Sequence, residues 1–254
     1  MSIVKNRVVR TALGALLVGT ATVAFAVPAF AATVSTTQTG PTTTTVTATP
    51  QTLAGIQAAG AAAIAQREGQ LTKLGAALAA AASCDTHGVI ATEISTDGPA
   101  LTALGQQLAG DMTIPAAKAD FGTIFTTYRV YLVVTPQAYV TAACGHIQTA
   151  STKLTADQQK LTVLVAALPE GATKTAAEAS LADMTTQLTN ATTQANEAAA
   201  ALAGIVPDHG NKMIEASNAA AVNSAHGQLT TARDDMLAAV NDAKAVVADL
   251  TSAV

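Results

Sequence analysis

Between Leu181 and Ile205 the apolar residues fall at alternating steps of three and four: Leu181, Met184, Leu188, Ala191, Ala195, Ala198, Leu202 and Ile205. This is the spacing of one face of an α-helix, sustained over three heptads. Alanine at the seam removes little surface from water. Such a face gains stability by letting backbones approach closely and form many weak dispersion contacts, rather than by interlocking bulky side chains. The whole chain has the same character, since half of its residues are apolar but only 3% are aromatic.

The pattern recurs along the chain. Ile64, Leu71 and Leu78 stand at sevens with Leu74 between them, and Gly88 follows the expected end. Ile90, Ile94, Leu101, Leu104 and Leu108 make a second helix, which Gly98-Pro99 is expected to kink or split. Thr113 followed by Ile114-Pro115 restarts a helix, because proline is tolerated in a first turn. Ile147, Leu154, Leu161 and Leu168 repeat at sevens, with Val140, Ala143, Ala150 and Leu164 completing the seam before Leu168-Pro169-Glu170-Gly171 ends it. Thr175 and Glu178 are spaced as a capping box for the helix through Leu181. Val206-Pro207-Asp208-His209-Gly210 reads as a turn, and Leu229, Met236, Val240, Ala243, Val247 and Leu250 mark a last helix. The expected fold is all-α: an elongated, antiparallel, coiled-coil-like bundle of about six helices with alanine-rich seams. A seam of this kind closes equally well within one chain or between two copies, so a homo-oligomer is compatible with it.

Residues 120–134 are the ambiguous stretch. Their β-branched content suits a strand, yet Phe121, Ile124, Phe125, Tyr128, Tyr131 and Leu132 also form one helical face. A lone strand would leave its backbone groups unpaired, which favours a helix, with a break or sharp kink at Thr135-Pro136.

The N-terminus points to export. Lys5, Arg7 and Arg10, an apolar run from Thr11 to Val27, and Ala29-Phe30-Ala31 form a secretory signal peptide over residues 1–31, with cleavage expected near Ala31. Residues 32–50, crowded with threonine, read as a flexible tether, and residues 51–254 as the helical bundle domain. The leader carries three of the basic residues and no acid, so removing it takes the net charge from −4 to −7. That balance argues against nucleic acid and anionic lipid surfaces as partners. No later apolar run is long enough to span a membrane, no cysteine near the cleavage point offers a lipid attachment site, and no sorting motif stands at Val254. The expected location is extracellular or at the cell wall.

The block Asp120-Phe121 through Ile124-Phe125-Thr126-Thr127-Tyr128-Arg129-Val130-Tyr131 to Pro136-Gln137 resembles a group of secreted, alanine-rich helical bacterial proteins of unknown function. Their shared pattern is an acidic-aromatic pair followed by a Phe-Thr-x-Tyr-Arg-Val-Tyr run ending near a proline. Leu229-Thr230-Thr231-Ala232-Arg233-Asp234-Asp235, Asp242-Ala243-Lys244 and Pro207-Asp208 are similar to theirs as well. The resemblance implies an exported helical bundle and carries no activity.

Within that block Tyr128, Arg129 and Tyr131 concentrate scarce aromatic and basic side chains. One reading packs the tyrosines against neighbouring helices and pairs Arg129 with an acid such as Asp120. The other makes the cluster an exposed anchor for a protein partner. Two cysteines in an exported chain are most simply one disulfide, Cys84 to Cys144. A rival reading adds the histidines beside them, so that Cys84, His87, Cys144 and His146 form a zinc-type ligand set. His209 beside Asp208 is accounted for by the turn, and Asn190-Ala191-Thr192 matches a glycosylation sequon that is common by chance. No nucleophile, acid-base pair or phosphate cradle can be assembled, so no catalytic residue and no cofactor are expected. The function expected is that of a non-enzymatic envelope or extracellular spacer or protein-interaction module. The alternative is an extracytoplasmic binding module holding a small apolar ligand or a metal ion near Tyr128 to Tyr139.

Overall fold

Three helices of this chain start where a side-chain oxygen meets a bare backbone N–H. The Thr52 hydroxyl accepts from the Gly55 amide at 3.1 Å and opens α1, Leu53–Leu78. The second helix, α2, spans His87–Gly110. Thr113 accepts from the Ala116 amide at 3.3 Å and opens α3, Ile114–Thr126, with Pro115 in its first turn. A π-helical turn, Val130–Val134, leads directly into α4, Thr135–Ala166. The fifth helix, α5, spans Ala172–Ala203, and Asn211 accepts from Met213 and Ile214 to open α6, Lys212–Ser252. This computed structural model describes residues 52–253, and among them no strand occurs. The fold is all-α. The signal peptide and the threonine-rich tether expected over residues 1–50 lie outside the described residues.

Several local expectations are corrected. Gly98-Pro99 does not split α2, which runs through it. Ser95, whose carbonyl loses its helical donor to proline, is exposed and can be served by water. Residues 120–134 are not one helix: α3 stops at Thr126, and Arg129 departs from helical geometry (φ −78°, ψ 47°) before the π turn starts. Thr135-Pro136 is no break. The Thr135 amide reaches back to the Val130 carbonyl, so Pro136 falls in the first α-turn, where its missing N–H costs little. Thr175 is not a cap either, since α5 begins three residues earlier and the Thr175 hydroxyl donates to the Gly171 carbonyl at 3.2 Å.

The chain divides into two compact units. The first holds residues 52–145 and 197–227. Its core joins Ile56, Ile64, Leu71, Leu74 and Leu78 of α1 to Ile90, Leu101, Leu104 and Leu108 of α2, with Ile124, Val130 and Val134 from the segment that follows. Gly145 lies directly against the Ala81 backbone. A Cβ there would lie 2.5 Å from the Ala81 Cα, so the loop after α1 can touch α4 only because that position has no side chain.

The second unit holds residues 146–196 and 228–253. In it α4 and α5 run antiparallel. Gln158 donates to the Leu181 carbonyl at 2.9 Å, Ser151 meets Thr192 at 3.2 Å and Gln148 meets Asn196, so numbering rises along α4 as it falls along α5. Leu161, Val165, Ala177, Leu181, Val246 and Leu250 are buried together at one end. The expected α5 seam is buried throughout, from Leu181 to Ile205. In α6 the phase differs by one step: Ala232, Ala239 and Val246 are fully buried beside Leu229, Met236 and Leu250, while Val240 and Val247 are only half-buried.

Candidate functional site

The Tyr128–Tyr131 segment is positioned by the three-residue break between α3 and the π turn. Here the Tyr128 carbonyl accepts from Val130 at 2.9 Å and the Arg129 carbonyl from Val133 at 2.8 Å. Turning the chain in this way sends the three side chains to different neighbours. Tyr128 packs half-buried against the core of the first unit. Arg129 ion-pairs with Asp208, and the two side chains are 12% and 3% exposed. Tyr131 lies over Arg67 of α1 and donates from its hydroxyl to the Gln66 carbonyl at 3.4 Å.

The pairing of Arg129 is not with Asp120, whose carboxylate instead accepts from Gln107 at 3.0 Å. Asp208 is held for the role by its turn. Its second oxygen accepts from the Gly210 amide at 2.6 Å, while His209 and Gly210 both adopt positive φ, 48° and 85°. The same loop is anchored by Gln137, buried in α4, which donates to the Leu202 carbonyl at the end of α5 and to the Ile205 carbonyl just beyond it, at 2.9 and 3.2 Å. In the sequence the Pro-Asp-His-Gly turn explains itself without a distant partner, and this hides Asp208.

Arg67 is the second residue that the sequence reading missed. It is 3% exposed, and its guanidinium carbon lies 4.5 Å from the centroid of the Phe125 ring and 5.3 Å from that of Tyr131. Burial pushes its pKa down, with Tyr131 opposing. A signal was present: Arg67 stands three residues after Ile64 and four before Leu71, at a seam position of α1.

Cys84 and Cys144 form a disulfide with Cα atoms 5.7 Å apart, tying the loop after α1 to α4. Both sulfurs of the four-ligand set Cys84, His87, Cys144 and His146 are consumed by it, and no cluster of three or more metal-ligating residues occurs among the described residues. The concave surface between α4 and α5 is an open groove lined by Ser151, Thr155, Gln158, Thr185, Thr189 and Thr192. Hydroxyls, the Gln158 amide and the Leu188 side chain line it, and none of these residues is charged. Across the fold the shifted carboxyls move upward: burial raises Glu93, Asp97, Asp111, Asp235 and Asp242.

The chain matches no known family model, and no curated protein or solved structure is significantly similar to it.

Proposed function

We propose that this is an exported, non-enzymatic protein of the cell envelope or extracellular space that acts as a spacer or through protein contact, by coiled-coil-like pairing of long helices. The observation that carries this reading is the seam of the second unit. Helix α6 is 41 residues, about 60 Å at 1.5 Å per residue, and within the second unit its contact face is built from Ala232 and Ala239 alternating with Leu229 and Met236. A long helix with so small a seam builds length from little side-chain mass, which suits a scaffold. The leader-like N-terminus and the kinship suggested by the Phe125–Tyr131 block belong to the same proposal.

Crosslinking in intact host cells, with partner identification and N-terminal sequencing of the recovered chain, tests it. The expected product begins near Ala32 and is joined to an envelope or extracellular protein. Recovery from the cytoplasm with the leader uncut would overturn the export reading. A stoichiometric apolar ligand or metal ion in native mass spectrometry would favour the binding-module alternative.

A further inference from the structure

Arg67 is a buried cation for which the fold provides no counter-charge. Its Nη1 donates to the Ala63 carbonyl of its own helix at 3.1 Å, its Nε has no acceptor, and no carboxylate among the described residues pairs with it. Arginine does not escape this by losing its proton, because guanidinium stays charged at any ordinary pH. The rings of Phe125 and Tyr131 offset part of the lost hydration through their negative faces, but a ring face cannot satisfy an in-plane N–H. A buried charge left in this condition is costly unless something pairs with it.

The geometry of the unmet donors says what that would be. Nε–H and the neighbouring Nη form the planar edge on which a carboxylate or phosphate binds through two parallel hydrogen bonds. In Arg67 the bond to Ala63 uses Nη1, leaving the edge that includes Nε without a protein acceptor. Access runs past Tyr131. Its ring is half-buried, and its hydroxyl is held only by the 3.4 Å bond to Gln66, an exposed residue. Swinging the ring breaks one long hydrogen bond, and the freed phenol is a further donor for an anion.

We propose that Arg67, between Phe125 and Tyr131, is a binding site for a small oxyanion, a carboxylate or phosphate, which takes the Nε edge of the guanidinium beneath the Tyr131 ring. This goes beyond the spacer reading and does not depend on it. The site belongs to the first unit, whereas the proposed spacer seam belongs to the second.

The test titrates the purified full chain with sodium acetate and, separately, sodium phosphate, at ionic strength held constant with chloride. Thermal midpoint and the Nε–H resonance of Arg67 are followed together. A ligand at ten times its Kd multiplies the folding equilibrium constant about elevenfold, a rise of about 3–6 °C in a chain of this size. The expected result is a saturable rise with at least one probe, lost in Arg67→Met and weakened in Arg67→Lys, which keeps the charge without the fork. Saturation by acetate alone assigns a carboxylate ligand, and by phosphate alone a phosphate. An identical response in Arg67→Met, or a response no different from that to chloride, overturns the proposal. Should Arg67→Met fail to fold, an Nε–H resonance in the native chain that neither probe moves overturns it equally.

Discussion

Arg129 and Asp208, 79 residues apart in sequence, meet as a largely buried ion pair that joins the π turn ahead of α4 to the loop between α5 and α6. Removing one member leaves the other charged and dry, which costs about 3–5 kcal/mol in buried pairs, whereas removing both leaves no orphan. Arg129→Met should therefore lower the free energy of unfolding by more than the double variant Arg129→Met/Asp208→Asn does. Urea denaturation of both single variants, Arg129→Met and Asp208→Asn, and of the double checks this; additive losses would mean that the pair is effectively solvated.

Gly145 and Gly69 should respond oppositely to alanine. A Cβ at Gly145 would meet the Cα, Cβ and carbonyl oxygen of Ala81 at 2.5, 2.7 and 2.8 Å, so backbone must move. Overpacking of this kind costs about 1–3 kcal/mol. Gly69, within α1, has nothing within 4 Å of a Cβ. Alanine there removes the entropy cost of a mid-helix glycine and should stabilise by about 0.5–1 kcal/mol. Thermal melts of Gly145→Ala and Gly69→Ala should move in opposite directions.

Reduction of the Cys84–Cys144 bond releases a loop of 60 residues and should destabilise by roughly 4 kcal/mol on the chain-entropy account. Neither sulfur is exposed, so a mild reductant should act only as the chain unfolds, and the midpoint should fall once reduction is complete. A melt that is the same with both cysteines alkylated would show that the cross-link constrains little.

The parts of the fold legible in the sequence are those where large and small seam residues share one period. In α5, Leu181, Met184 and Leu188 set a phase that Ala191, Ala195 and Ala198 continue, and every one of them is buried. In α6 the bulky Val240 and Val247 draw the eye to the wrong step, because Ala232 and Ala239, the true seam, differ little in type from the alanines around them. The break at residues 127–129 was hidden because the β-branched residues around it, among them Ile124, Thr126, Val130 and Val133, satisfy both strand and helix patterns. Asp208 was illegible for a different reason, since its partner is set by tertiary packing across 79 residues. Arg67 was legible in principle, as a charge at a heptad position, but Gln66-Arg67-Glu68 reads as a solvated face when the register is not followed through it.

The α5 seam makes a direct test of register. Leu188 is 5% exposed, and its truncation to alanine should cost about 2–5 kcal/mol. Val163 of α4 is 71% exposed, and Val163→Ala should stay within about 0.5 kcal/mol of the native chain. Equal effects of the two substitutions would refute the burial pattern.

Acid should stabilise this protein as pH falls from neutrality toward the ordinary carboxylate range, about 4. Glu93, Asp97, Asp111, Asp235 and Asp242 are raised above their ordinary values, in every case chiefly by burial. Like charges add to the effect: Asp97 acts on Glu93, Asp120 on Asp111, Asp234 on Asp235 and Asp183 on Asp242. A raised folded-state pKa means that the folded chain binds these protons before the unfolded chain does. Stability is then gained as pH falls through the folded values, and the gain is complete once pH drops below the unfolded values, about 4. Calorimetry in steps from pH 7.5 down to about pH 4 at constant ionic strength should show the midpoint rising, and Glu93→Gln should raise it at pH 7.5 while flattening the slope. A midpoint that falls steadily on acidification over that range would mean that these carboxyls are fully hydrated in the folded chain.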